Sequence, residues 1–179
     1  MVVALAEGRA PTAGRARLIC IDGPAGSGKT TLAAEVTALT GAQVVHGDDL
    51  MSGWRGLDDV GRQLTAVVAD LADGRDAAYD HFDWHEDRYV RRVPVPAADW
   101  LVAEGVGTGV AGATVLVWIE VDDDLRFERG RVRDGEAMME HWRQFAMDER
   151  AVFARERTRE RADVLVDGTG AVAPVVLTP

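Results

Sequence analysis

A glycine-rich segment near the start of the chain carries the clearest chemical pattern. Residues 23–30 read G-P-A-G-S-G-K-T and match the phosphate-binding pattern G-x-x-x-x-G-K-[ST]. Lys29 is the only lysine among the 20 lysine and arginine residues. A compact ammonium group reaches between nucleotide phosphates, where a planar guanidinium group does not fit. We therefore predict a nucleotide-binding loop in which Lys29 also acts in catalysis. Its predicted contact residues are Gly23, Pro24, Ala25, Gly26, Ser27, Gly28, Lys29, Thr30 and Thr31.

The segments on either side of this loop support the same interpretation. Residues 17–22 form a short apolar run typical of a buried parallel strand, and residues 30–39 have the composition of a helix that ends near Gly41. A strand, a glycine loop and a helix N-terminus together present backbone N–H groups to an anion. A glycine turn of purely structural origin is the less favoured alternative.

Two sets of carboxylates follow short apolar runs further along the chain. Glu104 ends one run, where an acidic residue can hold Mg²⁺ together with the hydroxyl group of Thr30. The alternative is a solvated carboxylate at a strand end. Asp48 and Asp49 follow another run, and one of them can accept the proton of an attacking hydroxyl group. The alternative there is a helix cap or a turn.

A dense group of aromatic and polar residues lies near the middle of the chain. It consists of Tyr79, Asp80, His81, Phe82, Asp83, Trp84 and His85. Aromatic faces and carboxylates suit a neutral acceptor that carries hydroxyl groups, such as a nucleoside. The spacing matches no zinc pattern, and a partly buried surface loop is the alternative. The predicted substrate residues are Asp48, Asp49, Trp54, Tyr79, Asp80, His81 and Trp84.

Four arginines precede Asp134-Gly135, and three of them share a helical face. Arg126, Arg129 and Arg133 have i, i+3, i+7 spacing, and Arg131 lies between them. Arginines on a mobile element can close over ATP and neutralise charge in the transition state. We predict a lid over about residues 126–135, with Arg129 and Arg133 in catalysis and Arg126 and Arg131 on ATP. A solvated helix face paired with Glu128 is the alternative.

Strand-like and helix-like segments alternate along most of the chain. Strands are predicted at 17–22, 42–46, 100–104, 114–121 and 163–167, and helices at 30–39, 57–72, 122–132 and 136–161. The charge-rich part from 149 to 161 is predicted to be an exposed helix. Residues 76–99 are interpreted as a strand-poor insertion followed by a linker. This alternation predicts a parallel sheet covered by helices on both faces, with ligands at the carboxyl ends of its strands.

Length and charge narrow the class of protein further. The 179 residues predict a single domain over 17–179, preceded by a flexible segment at 1–16. A net charge of −10 argues against nucleic acid as the main partner. The buried run around Cys20 predicts a thiol without a disulfide role. No signal peptide pattern and no membrane-length apolar stretch is present in the sequence, so we expect a cytoplasmic protein.

Taken in chain order, these motifs resemble the uridine kinase group of P-loop small-molecule kinases. The resemblance implies a P-loop NTPase fold, a three-layer α/β/α sandwich with a mostly parallel central sheet and a small arginine-rich lid. It also implies ATP and Mg²⁺ as cofactors, Asp48 as the base, Glu104 at the Mg²⁺ site, and Arg129, Arg131 and Arg133 in the lid. Two features depart from the group, because Leu50 and Met51 stand where aromatic residues often follow the aspartate, and the chain is shorter.

The sequence therefore predicts a kinase that transfers the γ-phosphate of ATP to a hydroxyl group of a small molecule, with a nucleoside such as uridine as the leading acceptor. A kinase for a sugar, a vitamin precursor or an antibiotic is one alternative, and a nucleotide-binding or ATP-hydrolysing regulatory protein is another. A GTP switch is disfavoured, because the guanine-reading motif N-K-x-D needs asparagine and the chain has none.

Overall fold

The computed structural model describes residues 1–110 and 112–177. The strands in chain order are β1 Arg17–Asp22, β2 Gln43–His46, β3 Ala77–Asp83, β4 Arg88–Val95, β5 Trp100–Glu104, β6 Val115–Glu120, β7 Val164–Asp167 and β8 Val175–Val176. The α-helices are α1 Val2–Glu7, α2 Lys29–Thr40, α3 Gly47–Leu50, α4 Leu57–Ala72, α5 Asp123–Asp134, α6 Met139–Glu156 and α7 Thr158–Arg161. Short 3₁₀ turns lie at Gly53–Arg55, Thr108–Val110 and Glu136–Met138.

Six strands form the central sheet in the order β2-β5-β1-β6-β7-β8. The first five pair in parallel, and only β8 is antiparallel. Strands β1 and β6 are continuous apolar runs that are buried almost throughout, as expected when helices cover both faces of a parallel sheet. Since β1 is central, the loop that follows it opens at the carboxyl edge where ligands bind in open α/β sheets.

Two apolar clusters fill the space on either side of this sheet. One joins the sheet to α1 and α2, and the other joins it to α4, α6 and the β3–β4 hairpin. The apolar stripe of α4, at helical spacing from Leu57 to Leu71, is buried against the second cluster. The predicted three-layer α/β/α architecture is therefore confirmed.

The first 16 residues differ from the expected flexible segment. Val2 and Ala6 of α1 are buried against the sheet. Arg9 donates from Nη1 to the carbonyl oxygen of Thr114 at 2.9 Å and forms an ion pair with Asp163 at 2.7 Å. The prediction failed because a six-residue helix is too short to show periodicity, and because its stability comes from tertiary contacts.

Residues 76–99 also differ from the predicted strand-poor insertion. They fold into an antiparallel hairpin of β3 and β4, separate from the main sheet and with an irregularity between His81 and Phe82. The alternation of aromatic and charged residues there has the period of a strand, which the high polarity obscured. As a result, neighbouring residues of the predicted substrate cluster point to opposite faces of a ribbon.

Among residues 1–110 and 112–177, no helix is both long and apolar enough to cross a bilayer.

Candidate active site

The loop from Gly23 to Thr30 follows β1 directly and begins α2. At two positions of this loop the backbone lies so close to neighbouring residues that only glycine fits. A Cβ atom on Gly23, where φ is 144°, would lie 2.0 Å from the carbonyl oxygen of Ile119. A Cβ atom on Gly26, where φ is 79°, would lie 2.8 Å from the carbonyl oxygen of Arg126. The glycines therefore let the loop lie tightly between neighbouring elements.

Several polar groups of this loop have no partner among the residues that the structure describes. The backbone N–H groups of Gly26, Gly28, Lys29 and Thr30 make no hydrogen bond there. The buried hydroxyl group of Ser27 likewise has none. Buried donors are rarely left unpaired, and a helix N-terminus favours negative charge. The loop is therefore chemically fitted to a phosphate group.

The ammonium group of Lys29 is buried within the same loop. Its Nζ donates to the carbonyl oxygens of Gly23 and Pro24, at 2.8 Å each. Burial lowers the pKa of Lys29, and nearby carboxylates oppose that effect. These carboxylates belong to Asp22, Glu104, Asp48 and Glu149. Lys29 is thus surrounded by carboxylates and lies within reach of any group that the loop binds.

Glu104 lies at the carboxyl end of β5, beside the loop. Its Oε2 accepts a hydrogen bond from the hydroxyl group of Thr30 at 3.2 Å, and its Oε1 lies 2.7 Å from Nδ1 of His46. The hydrogen bond to Glu104 raises the pKa of His46. The structure thus brings together the two predicted Mg²⁺ residues. His46 was not predicted as a site residue. Its position at the end of the second predicted strand could have indicated it, because ligands bind at the carboxyl ends of parallel strands.

Oxygen donors of this kind suit Mg²⁺. Among the residues described, no group of three or more His, Cys, Asp or Glu side chains could form a metal cage. Mg²⁺ does not need one, because it usually binds one or two protein carboxylates and takes its other ligands from phosphates and water. Thr30 and Glu104, next to the unpaired N–H groups of the loop, fit that pattern.

The two aspartates of α3 have different surroundings. Asp48 is exposed to solvent, and partial loss of hydration beside its neighbours raises the pKa of its carboxyl group. Lys29 and Arg133 attract Asp48 and oppose this rise. Asp49 instead faces the hairpin, where its Oδ2 lies 3.4 Å from the Tyr79 hydroxyl group and 3.3 Å from Nδ1 of His81.

Aromatic side chains lie beside Asp48 on the hairpin side, and the surface formed by Asp48, Trp54 and Trp84 is here called the acceptor crevice. Trp84 donates from its indole nitrogen to the carbonyl oxygen of Asp48 at 3.0 Å and is 39% exposed. Trp54 meets Trp84 edge to face at 5.6 Å and stacks on His141 at 5.4 Å. Burial and Asp49 together raise the pKa of Tyr79 to about 12, so its hydroxyl group stays protonated. The crevice therefore offers ring faces beside hydrogen-bonding groups.

Asp80 is a predicted substrate residue that the structure places elsewhere. It lies on the opposite face of β3 from Tyr79 and His81 and is exposed. Its backbone N–H donates to Gln63, and its carboxyl group lies 3.9 Å from Arg92. The side-chain alternation of a strand explains this, since residues next to each other point to opposite faces.

The four arginines of α5 do not act as one group. The charge of Arg133 lowers the pKa of Asp48, while the guanidinium group of Arg133 pairs with Asp134 at 2.8 Å. Arg129 donates to the carbonyl oxygens of Gly26 and Gly168, at 2.9 and 3.1 Å. Both therefore lie at the site, although Arg129 binds the loop itself.

The other two arginines differ from the prediction that they contact ATP. Arg126 is buried and ion-paired with Asp123 and Glu149, each at 2.7 Å. Arg131 points to solvent, where it pairs with Glu128 at 2.7 Å. The i, i+3, i+7 spacing correctly placed Arg126, Arg129 and Arg133 on one face of α5. At Arg126 this face is buried against Glu149 of α6, so this arginine is not free to contact a nucleotide.

Two buried carboxylates beside the loop were missed by sequence reasoning. Glu149 of α6 is fully buried and accepts a hydrogen bond from the Ala25 N–H at 2.9 Å, so the prediction of an exposed helix from residue 149 is wrong at its first residue. Asp22 accepts hydrogen bonds from the N–H groups of Gly23, Gly107 and Gly109, at 2.7, 3.0 and 2.8 Å. The available signal for Asp22 was a charged residue at the end of an apolar run, directly before the glycine loop.

We predict that Asp22→Asn destabilises the fold by about 2 kcal/mol, because the new NH₂ group leaves a backbone donor without an acceptor. Burial raises the pKa of Asp22 to about 6, so at pH 7.5 the side chain is the ionised acceptor that these three N–H groups need. Denaturant unfolding at pH 7.5 measures the change. Asp76→Asn, at an exposed turn, is the matched control, and equal stability of the two variants would contradict this role.

One cavity of the protein lies away from this site. It has a volume of about 360 Å³ and lies between α4 and α6, where Leu57, Val152 and the Asp58–Arg155 ion pair line it. The residues that line this cavity include none of the predicted site residues.

No model of a known protein family matches this chain, and no curated protein matches it by sequence. Solved structures do match. One is a possible uridine kinase from Bacillus stearothermophilus, with 22% identity, a TM-score of 0.61, and coverage of 93% of this chain and 97% of that one. Another, from a Silicibacter species, is provisionally named a fructose transport system kinase, with 19% identity, a TM-score of 0.57, and coverage of 86% and 94%.

At these identities the likeness establishes the fold alone. The chain has the fold of the uridine kinase-like P-loop kinases, as its motifs suggested.

Proposed function

We propose that this protein is an ATP-dependent kinase that transfers the γ-phosphoryl group to a hydroxyl group of a ring-bearing small molecule. The observation that carries the proposal is the juxtaposition of the Lys29 loop with Asp48. The loop offers unpaired donors for phosphate, and Asp48 lies near enough to Lys29 for their attraction to affect both pKa values. A donor site and a base thus face the same crevice.

On the donor side, the chain's own groups supply binding and orientation. Lys29 exchanges its two backbone acceptors for the β- and γ-phosphate oxygens, and the N–H groups of the loop hold the phosphates. Thr30 and Glu104 would hold Mg²⁺, which neutralises phosphate charge when bound. Arg133, whose charge acts on Asp48 and whose guanidinium group is held by Asp134, stabilises the charge of the phosphoryl group during transfer. The names of the two structural neighbours, both kinases, are consistent with this chemistry.

On the acceptor side, Asp48 takes the proton of the attacking hydroxyl group. Asp49 is already engaged with Tyr79 and His81, so it is better suited to bind the acceptor than to act as the base. Trp84 and Trp54 provide faces for a planar or puckered ring. A nucleoside such as uridine is the leading acceptor, because it combines a ring with several hydroxyl groups.

A thermal-shift panel tests this proposal. Mg-ATP should raise the melting temperature, and the right acceptor should raise it further when a non-hydrolysable ATP analogue is present. The panel contains nucleosides, sugars, vitamin precursors and aminoglycosides. A response to nucleotide with none to any acceptor would favour a regulatory nucleotide-binding protein, and no response to nucleotide would refute the proposal.

The two faces of β3 provide a second test. We predict that His81→Ala raises the KM for the acceptor about tenfold or more, since the loss of one buried polar contact is worth about 1–2 kcal/mol. Asp80→Ala, one residue away on the outer face, should leave that KM unchanged. Steady-state kinetics with whichever acceptor gives turnover measures both. Equal effects of the two substitutions would place the acceptor elsewhere.

A further inference from the structure

Helix α6 contacts both sides of the proposed active site through a single face. His141, Phe145 and Glu149 are four residues apart and therefore lie in one row along the helix. His141 stacks on Trp54 with an angle of 16° between the rings, and Phe145 meets Trp54 edge to face at 5.8 Å. Glu149, further along the same row, contacts the phosphate-binding loop. One rigid helix thus joins the acceptor crevice to the loop.

The contact of Glu149 with the loop is buried and charged. Its Oε2 accepts the hydrogen bond from Ala25, and its Oε1 lies 2.7 Å from Nη1 of Arg126, a close ionic contact whose angles are not those of a hydrogen bond. Burial raises the pKa of Glu149, while the Ala25 N–H and Arg126 favour its ionised form. An ion pair at such a position is costly to desolvate and is a weak source of stability. A role in shaping the loop accounts better for its position.

Helix α5 holds the adjacent loop residue from another side. The backbone of Arg126 lies so close to Gly26 that no side chain fits between them, and Arg129 donates to the Gly26 carbonyl oxygen. Ala25 and Gly26 are therefore fixed together by α5 and α6. The neighbouring N–H groups are those that lack protein partners, so the direction in which they point depends on these contacts.

We propose that Glu149, paired with Arg126, is a positioning residue that fixes Ala25 and Gly26 in the shape that receives phosphate, and that α6 thereby couples the loop to the Trp54 side of the acceptor crevice. This inference rests on the proposed function, because it assumes that the loop binds nucleotide. If Glu149 has this role, the affinity for nucleotide depends on Glu149, a side chain that the sequence predicted to lie on an exposed helix.

The test compares nucleotide affinity with stability in matched variants. Arg126→Met/Glu149→Met removes both charges and leaves neither alone, so its melting temperature should fall less than that of the single variant Glu149→Met. Its Kd for Mg-ADP, measured by calorimetry, should rise about tenfold, because the Ala25 N–H has lost its acceptor. Glu149→Met alone should weaken binding in the same way and also lower the melting temperature, since the buried Arg126 then keeps only its ion pair with Asp123. Glu140→Gln, 88% exposed at its side chain on the same helix, should change neither.

The outcomes separate the two proposals. Wild-type affinity for Mg-ADP in the double variant would overturn the positioning role alone. If the double variant does not fold, wild-type affinity in Glu149→Met, measured at a temperature where that variant is folded, would do the same. Failure of the wild type to bind Mg-ADP would overturn the proposed function and this inference with it. Hydrogen exchange tests the coupling, because Mg-ADP should slow exchange over residues 141–145 in the wild type and not in the double variant. Equal protection in both proteins would refute the coupling.

Discussion

Lys29→Ala is expected to abolish phosphoryl transfer, with a loss in kcat on the order of a thousandfold or more, typical of removing a group that stabilises charge in the transition state. No other lysine exists in the chain to replace it. Lys29 is buried among four carboxylates, and the ammonium group is the cation that the loop places among them. Its loss removes the contact with the transferred phosphoryl group and also leaves the repulsion among these carboxylates unscreened.

Two controls make this prediction specific. Lys29→Arg keeps the positive charge but replaces the compact ammonium group by a planar guanidinium group. This variant should also be inactive, because the guanidinium group does not fit between the phosphates. Arg131→Ala removes an exposed cation of the lid segment and should be close to wild type, because Arg131 pairs with Glu128 in solvent. Circular dichroism would confirm that the variants fold. Near-normal turnover of Lys29→Ala would overturn the assignment of the loop.

Asp48→Asn is expected to lower kcat by about a hundredfold to ten-thousandfold, the usual contribution of a general base. The Kd for ATP should change far less, because Asp48 does not hydrogen-bond to any group of the loop. Pre-steady-state kinetics and calorimetry measure the two quantities separately. Asp49→Asn is the matched neighbour and should act mainly on the KM for the acceptor. A large loss of kcat in Asp49→Asn with little in Asp48→Asn would make Asp49 the base.

The pH dependence of the reaction also tests whether Asp48 is the base. A base works in its ionised form, so activity must fall as the pH drops through the pKa of Asp48. Since loss of hydration raises that pKa, the acid limb of the kcat profile should lie above the pH where an ordinary aspartate titrates. The limb should disappear in Asp48→Asn. An unchanged acid limb in that variant would assign it to another group.

The parts of the site that the sequence predicted well are those fixed by local geometry. The strand, glycine loop and helix around Lys29 are contiguous in the chain, and the end of a parallel strand places Glu104 next to Thr30. Helix α4 was predicted with its observed bounds because its apolar stripe is long and regular. In such segments, the period of the apolar residues is sufficient to define the element.

The parts that were predicted wrongly depend on contacts between distant segments. Glu149 lies 124 residues from Ala25, and its charge suggested solvent rather than a buried hydrogen bond. Arg126 has the same spacing as its neighbours, but tertiary packing buries it while Arg131 stays in solvent. Asp80 was grouped with His81 because residue type alone does not show which face of a strand a side chain takes.

Transfer of phosphate from Mg-ATP to a broad panel of hydroxyl compounds, read by mass spectrometry, tests the central claim most directly. We predict that at least one ring-bearing compound, with uridine first among the candidates, gains the mass of a single phosphoryl group in a reaction that requires Lys29 and Asp48. Release of inorganic phosphate with no phosphorylated compound, or product formation that is unchanged in Lys29→Ala, would contradict the assignment of this protein as a small-molecule kinase.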